Sequence, residues 1–205
     1  MRVFLAGATG VIGCRLLPGL IADGHAVAAM TRTPGKAEPL KLAGATPVVC
    51  NLFDPVALTE AVTRFEPEAV WHMVTDLPDR LDDLAGFGIR NDRVRTEGTR
   101  NVVAAFAAAG ARHLLAQSIA WRPEGREHAL DEHERRVLQA GGVLVRYGQF
   151  YGPGTFYPDR LPPPPRLHLE AAAARTVELI SAPSGIVTLT DDTAADESTA
   201  AVRKV

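Results

Sequence analysis

Val3-Phe4-Leu5-Ala6-Gly7-Ala8-Thr9-Gly10-Val11-Ile12-Gly13 opens the chain with four apolar residues that suit a buried strand. Three glycines at three-residue spacing follow, and then a segment of helical period begins. Glycines in these places let the chain turn sharply after a strand. They also let backbone N–H groups approach an anion seated on the N-terminus of the next helix. A glycine triplet alone is a weak signal, but a strand before it and a helix after it give it the context of a dinucleotide pyrophosphate cradle. The residues assigned to that cradle are Gly7, Thr9, Gly10, Val11, Ile12 and Gly13.

Downstream, short apolar runs alternate with longer segments of helical period, the signature of βαβ units and a mostly parallel sheet. Strands are predicted at residues 3–6, 25–30, 47–50, 70–74, 113–117 and 143–146. Helices are predicted at 11–23, 36–43, 55–65, 91–109 and 124–139, the first bent by Pro18 and Gly19 and closed by Gly24. Asp54-Pro55 reads as an N-cap followed by proline at the first helical position. Beyond residue 150, Tyr151-Gly152-Pro153-Gly154 and Leu161-Pro162-Pro163-Pro164-Pro165 exclude a helix or central strand. The proline run reads as a stiff spacer. A last helix at 169–181 and a strand at 186–189 precede a polar tail predicted to fray. The expected architecture is α/β: a Rossmann-type doubly wound parallel sheet with a small C-terminal cap. Residues 1–150 form the NAD(P)-binding core, and residues 151–205 form a loop-rich substrate cap whose last elements return to it as one structural unit.

A chain of 205 residues with 46% apolar and 22% charged residues has enough material for one sizeable core. Its net charge of -2 leaves no cationic excess to neutralise a nucleic acid, so the expected partner is a small-molecule substrate. No apolar run reaches the length of a membrane span, and no leader precedes the first strand. The expectation is a cytoplasmic protein without membrane or metal partners. Cys14 and Cys50 lack the spacing of a metal knuckle and read as reduced, buried thiols.

Cofactor choice is read at the end of the second strand, where a carboxylate favours NAD and an arginine accommodates the extra phosphate of NADP. Thr31-Arg32-Thr33 stands there with no carboxylate, so NADP is expected and NAD is the second choice. A solvated surface charge is the plainer account of Arg32.

With Gly7-Ala8-Thr9-Gly10-Val11-Ile12-Gly13, Asn51-Leu52-Phe53-Asp54, Glu97-Gly98-Thr99-Arg100-Asn101 and the run from Arg146 to Gly154, the chain resembles the extended short-chain dehydrogenase/reductases. This is the NAD(P)-dependent epimerase/dehydratase group. The resemblance runs over about residues 1–192 and is specific for the fold more than for the reaction. It implies that Asn51, Leu52 and Asp54 lie at the adenine end of the cofactor, although an N-cap role alone would explain Asp54. It also implies that Thr75 and Asp76 flank the nicotinamide ribose. A serine or threonine ending the fifth strand would bond the substrate oxygen, which makes Ser118 the catalytic candidate, with Ile119 as the alternative register. The helices at 91–109 and 124–139 correspond to a face through which such proteins dimerise, so a homodimer is a possible assembly.

One departure matters for the chemistry. Members of the group carry Tyr-x-x-x-Lys at the start of the following helix, where the lysine lowers the phenol pKa so that it can pass a proton. Those positions fall near Arg126 and Leu130, and no tyrosine occurs from Met1 to Arg146. His133 and Tyr151 are the replacement acids carried forward, with His128, Tyr147, His168 and Glu170 as further candidates. A conjugated acceptor needs no protein acid, because the cofactor carries the hard chemistry. The leading expectation is therefore an NADP-dependent oxidoreductase with a non-standard proton source. A non-redox cyclase, isomerase or lyase on the same scaffold and a cofactor-binding regulator are the alternatives.

Overall fold

Period-two alternation decides the architecture. In β1 (Arg2–Ala6), Val3 and Leu5 enter one hydrophobic core while Phe4 and Ala6 enter another on the opposite face. A strand apolar on both faces must be covered on both, which is the condition met by a parallel sheet between helical layers. The computed structural model describes residues 1–78 and 80–191. The predicted polar tail lies outside the described residues.

The strands that follow are β2 (Ala26–Thr31), β3 (Thr46–Val49), β4 (Ala69–His72), β5 (His113–Ile119), β6 (Val143–Tyr147), β7 (Gln149–Tyr151), β8 (Arg166–His168) and β9 (Gly185–Leu189). Seven of them form one parallel sheet in the order β3-β2-β1-β4-β5-β6-β9. The helices are α1 (Gly13–Ala22), α2 (Ala37–Leu42), α3 (Pro55–Phe65), α4 (Gly88–Arg93), α5 (Thr99–Ala108), α6 (Glu127–Gln139) and α7 (Leu169–Val177). Leu16 and Leu20 of α1, Leu40 of α2 and Leu169 of α7 close the first core; Leu58 of α3, Val102 of α5 and Val137 of α6 close the second. The strand order reverses between β1 and β4. At such a switch point the helices on the two sides leave opposite faces and open a crevice at the carboxyl ends of the strands.

Local departures from the predicted elements have physical causes. The helix predicted at 91–109 starts at Gly88 and widens into a π-helical segment at Val94–Gly98 before α5. A Cβ on Gly98 would lie 2.5 Å from the Leu52 side chain, and Asn101 Nδ2 donates to the Leu52 carbonyl at 3.0 Å. The two motifs Asn51–Asp54 and Glu97–Asn101 are thus one packed joint. The helix predicted from residue 124 begins at Glu127, after a turn in which Arg126 N–H bonds the Pro123 carbonyl and Gly125 has φ +70°. Residues 169–181 end in a 3₁₀ turn, Glu178–Ser181.

β7 and β8, which the sequence reading did not predict, form a parallel pair; Gly148 allows the close approach, since a Cβ there would lie 2.7 Å from the Arg166 backbone. Three-residue strands beside a proline run carry no readable periodicity. Cys14 is exposed rather than buried, since α1 turns that position outward, with its Sγ–H on the Val11 carbonyl at 3.3 Å. Among the described residues no helix is long and apolar enough to cross a membrane.

Candidate functional site

The glycine turn sits at the switch point. Gly7 has φ +88°, and a Cβ there would lie 2.7 Å from the backbone carbonyl of Met73, just past β4. On Gly13 a Cβ would lie 2.1 Å from the Gly7 carbonyl oxygen. Both glycines therefore let α1 and the β4 backbone close on the turn, and larger residues would prise them apart. Gly10 and Val11 are exposed at the crevice edge, while Ile12 is buried under it. Helix α1 has no side-chain cap and no acidic residue in its first turn, so no carboxylate of that turn repels an anion at that end. Thr9 Oγ1 lies 3.4 Å from Thr31 Oγ1, tying the turn to the end of β2.

Next along the crevice are exposed Arg32 and Asn51, buried Leu52 and exposed Asp54. Asn51 accepts the Phe53 N–H at 3.1 Å, and Asp54 Oδ1 accepts the Ala57 N–H at 3.0 Å as the cap of α3. On the other side of β1, exposed Thr75 and buried Asp76 follow β4. Asp76 takes a two-pronged bond from Arg90, at 2.9 and 3.0 Å, and an ion pair from Arg32 at 3.5 Å. Asp76, Arg90 and Arg32 were not recognised as one cluster from sequence, because their contacts join three separate segments.

At the end of β5, Ser118 is buried and its hydroxyl donates to Glu134 Oε1 at 2.6 Å. Its proton is committed, so toward the crevice it offers lone pairs. Glu134 also receives Arg146, with Nε at 2.9 Å and Nη2 closer still. Burial alone would raise the Glu134 pKa; the bonds from Arg146 and Ser118 outweigh it and hold the carboxyl below its ordinary range. Beneath these residues His72 Nε2 lies 3.3 Å from Thr99 Oγ1, Thr99 Oγ1 lies 2.7 Å from His133 Nδ1, and His133 Nε2 lies 2.9 Å from the Gln117 carbonyl. The imidazoles meet edge to face, with centroids 5.8 Å apart. Burial, with His133 adding to it, pushes His72 down to about 3. Burial likewise takes His133 down to about 4, where Arg95 assists and the Gln117 carbonyl and Glu134 oppose. His133, read from sequence as an acid, is thus a neutral, buried, doubly bonded ring. His72 was missed; a histidine ending the apolar run Ala69-Val70-Trp71 was the available signal.

The other proton-donor candidates lie apart from this cluster. Arg126 pairs with Asp92 at 2.5 Å, and Leu130 is buried core. His128 is exposed. Tyr147, a further candidate acid, is buried: its hydroxyl lies 2.7 Å from Thr176 Oγ1, and burial raises its pKa. Tyr151 packs on the edge of His168 with centroids 5.2 Å apart, and desolvation and then Asp191 raise its pKa. His168 caps α7 by accepting the Glu170 N–H, and Glu170 pairs with Arg15 at 2.7 Å. A cavity of about 310 Å³ lies at the amino ends of β5, β6 and β9, lined by Arg112, His113 and Ser184, on the far side of the sheet from the carboxyl-end crevice.

The family model described as NAD(P)H-binding matches residues 7–140. A 3-diazoavenalumate denitrifying reductase from a Streptomyces species is 38% identical over 182 residues, 77% of this chain and 59% of that protein. The chain thus spans well under two thirds of that relative's length. UDP-glucose 4-epimerase of Thermus thermophilus, solved with NAD, superposes with a TM-score of 0.75 at 17% identity, covering 93% of this chain and 78% of that one. The Bordetella bronchiseptica enzyme WbmG, also solved with NAD, gives a TM-score of 0.70 at 18% identity over 93% and 72% of the two chains. At these identities the solved structures speak for the fold. With the family model covering the glycine turn, the switch point and the strands on either side, the chain belongs to the NAD(P)H-binding family.

Proposed function

We propose that this protein is an NADP-dependent reductase that delivers hydride to an electron-poor acceptor without a protein acid. The observation that carries the reading is the pairing of a glycine cradle, which a Cβ at Gly7 or Gly13 would fill, with Arg32 at the end of the neighbouring strand. The N–H groups of the turn receive the pyrophosphate. Arg32, exposed at the crevice edge, receives the 2′-phosphate that separates NADP from NAD. Thr75 and Asp76 border the ribose on the far side of β1, and Ser118 presents its lone pairs at the reacting end.

The sequence supports hydride delivery without a tyrosine acid. Its tyrosines are Tyr147, Tyr151 and Tyr157 and its lysines are Lys36, Lys41 and Lys204, so no tyrosine has a lysine four residues on. The relative named as a diazo-compound reductase points to a substrate class for which this arrangement suffices. Bound in the crevice, NADPH supplies a hydride, and an aryl diazonium that takes it becomes the arene and dinitrogen with no proton consumed.

The test is consumption of NADPH in the presence of an aryl diazonium carboxylate, with ¹⁵N-labelled dinitrogen measured by mass spectrometry and quinone and enone acceptors run alongside. Dinitrogen release matched to NADPH loss supports the reading. Tight NADPH binding with no oxidation across the panel overturns it, and turnover of a substrate without cofactor oxidation would place the chemistry outside redox.

A further inference from the structure

Asn91, Arg95 and Thr99 recur at four-residue spacing from α4 through the π-helical segment into α5, which puts them along one side of this run of helix. Contacts at both ends fix where that side faces. Asn91 Oδ1 accepts the Asp76 N–H at 3.1 Å just past β4, and Thr99 Oγ1 lies within hydrogen-bond distance of both His72, the last residue of β4, and His133. Arg95, between them, faces the carboxyl ends of β4 and β5. A cavity of about 50 Å³ opens there, with Asn91, Arg95, His133, Thr75 and Ser118 on its lining.

Arg95 lacks a close partner. Its side chain is 15% exposed, yet its one ionic contact among the described residues is Asp92 at 3.8 Å, longer than a hydrogen bond. Asp92 already holds Arg126 at 2.5 Å, and Glu134, the other carboxylate that acts on Arg95, already holds Arg146 at 2.9 Å. His72 and His133 are neutral at pH 7. Three guanidinium groups thus face two carboxylates, and one positive charge is left unmatched beside the cavity. Burial accordingly pulls the Arg95 pKa down more than Asp92 and Glu134 raise it, with Arg126 adding to the fall. One turn away, the Asn91 amide nitrogen has hydrogens to spare, because the Asp76 N–H fixes Oδ1 as the acceptor and no partner among the described residues takes Nδ2.

We propose that Arg95 and Asn91 form a seat for a carboxylate, carried by the acceptor that the reductase reading puts in the crevice. The cavity exceeds one water's share of about 30 Å³ and falls far short of the roughly 300–1,000 Å³ of a whole ligand pocket, so it takes one functional group while the rest of the molecule lies outside, past exposed Thr75. A planar carboxylate matches the fork of a guanidinium and has lone pairs left for an amide N–H. Only the identity of the carrier rests on the reductase reading.

The test is binding without turnover: benzoate and benzamide are titrated by calorimetry into the full chain, with and without NADP⁺. Benzoate is expected to bind about tenfold or more tightly than benzamide. Arg95→Met should weaken benzoate about tenfold to a hundredfold and leave benzamide unchanged. Asn91→Asp guards against a folding defect, since it keeps an acceptor for the Asp76 N–H and gives Arg95 a carboxylate from the protein itself. It should abolish benzoate binding at an unchanged or higher urea midpoint. Benzoate that fails to bind the parent, binds no better than benzamide, or binds both variants as it binds the parent overturns the proposal. With aryl diazonium acceptors, Arg95→Met should raise KM about tenfold for the carboxylated compound alone. Benzoate binding that follows Arg95 and Asn91, with no acceptor oxidising NADPH, would keep the seat and remove only the reductase reading.

Discussion

Arg32 Nη2 stands 3.5 Å from Oδ1 of Asp76, linking the end of β2 to the segment after β4 across the end of β1, which lies between them in the sheet. The side chain of Asp76 is 10% exposed and that of Arg32 is 67% exposed. Asp76 is fixed by the two-pronged bond from Arg90, so Arg32 is the arm that can move. With Arg32 largely in solvent and 3.5 Å from its partner, the pair is worth about 0–1 kcal/mol, less than a guanidinium gains from a phosphate dianion.

Arg32→Ser is therefore expected to weaken NADPH binding about tenfold to a hundredfold and to leave NADH binding within about twofold, as loss of one charged hydrogen-bonding group predicts. Titration of both cofactors by calorimetry checks it. Equal losses for the two would remove Arg32 from the phosphate site.

Gly13→Ala acts through packing rather than charge. The added methyl would lie 2.1 Å from the Gly7 carbonyl oxygen, so the turn or α1 must shift. A forced shift in a packed core costs about 1–3 kcal/mol and would displace the N–H groups of the cradle. The expected outcome is a lower urea midpoint together with loss of binding of both cofactors. Gly24→Ala serves as the control: among the described residues no atom beyond its chain neighbours lies within 4 Å of a Cβ at Gly24, although its φ of +79° adds backbone strain, so it should lower stability while leaving cofactor affinity unchanged.

Much of the fold was legible because the physics that sets it is local. The Val3–Ala6 run, the Asp54-Pro55 start and the glycine spacing each follow from period, cap chemistry or backbone freedom. The π-helical widening at Val94–Gly98 was not legible: it ends at Gly98, which packs against Leu52, a residue distant in sequence. The site divides the same way. The glycine cradle and Arg32 sit on consecutive elements, whereas the His72–Thr99–His133–Gln117 chain draws on β4, α5, α6 and β5 and has no linear signature. His133 looked like one charge among many on a helix rich in Glu and Arg; only the helix's orientation reveals that it faces inward.

The two buried histidines make stability depend on pH in a stated direction. Their pKa values fall from 6.5 to about 3 and about 4, so between pH 6.5 and 4 the unfolded chain binds protons that the folded protein does not. Their contribution is fully present above pH 6.5 and is lost as pH falls through that window. Urea unfolding is expected to show stability dropping between pH 7.5 and 5 with no matching loss on the alkaline side. In His133→Gln, which removes one of these groups, the slope over this window should be shallower. An unchanged slope would mean that His133 is not held neutral by burial.

Glu134 governs a lower window. Its carboxyl joins Ser118 and Arg146, and its pKa stands below the ordinary glutamate value of 4.5 despite burial. A depressed carboxyl contributes stability above the unfolded value, and that stability is lost as pH falls below about 4.5 and through the folded value. Glu134→Gln keeps the shape but leaves Arg146 unpaired. Breaking a fully buried pair costs about 3–5 kcal/mol; the Arg146 side chain is 34% exposed, so solvent screening reduces the expectation to roughly 1–3 kcal/mol at pH 7. The difference between the variant and the parent should shrink as pH falls below 4.5, because the parent's carboxyl is then protonated as well. A gap that stays constant to about pH 3 would show that Glu134 acts through packing and not through its charge.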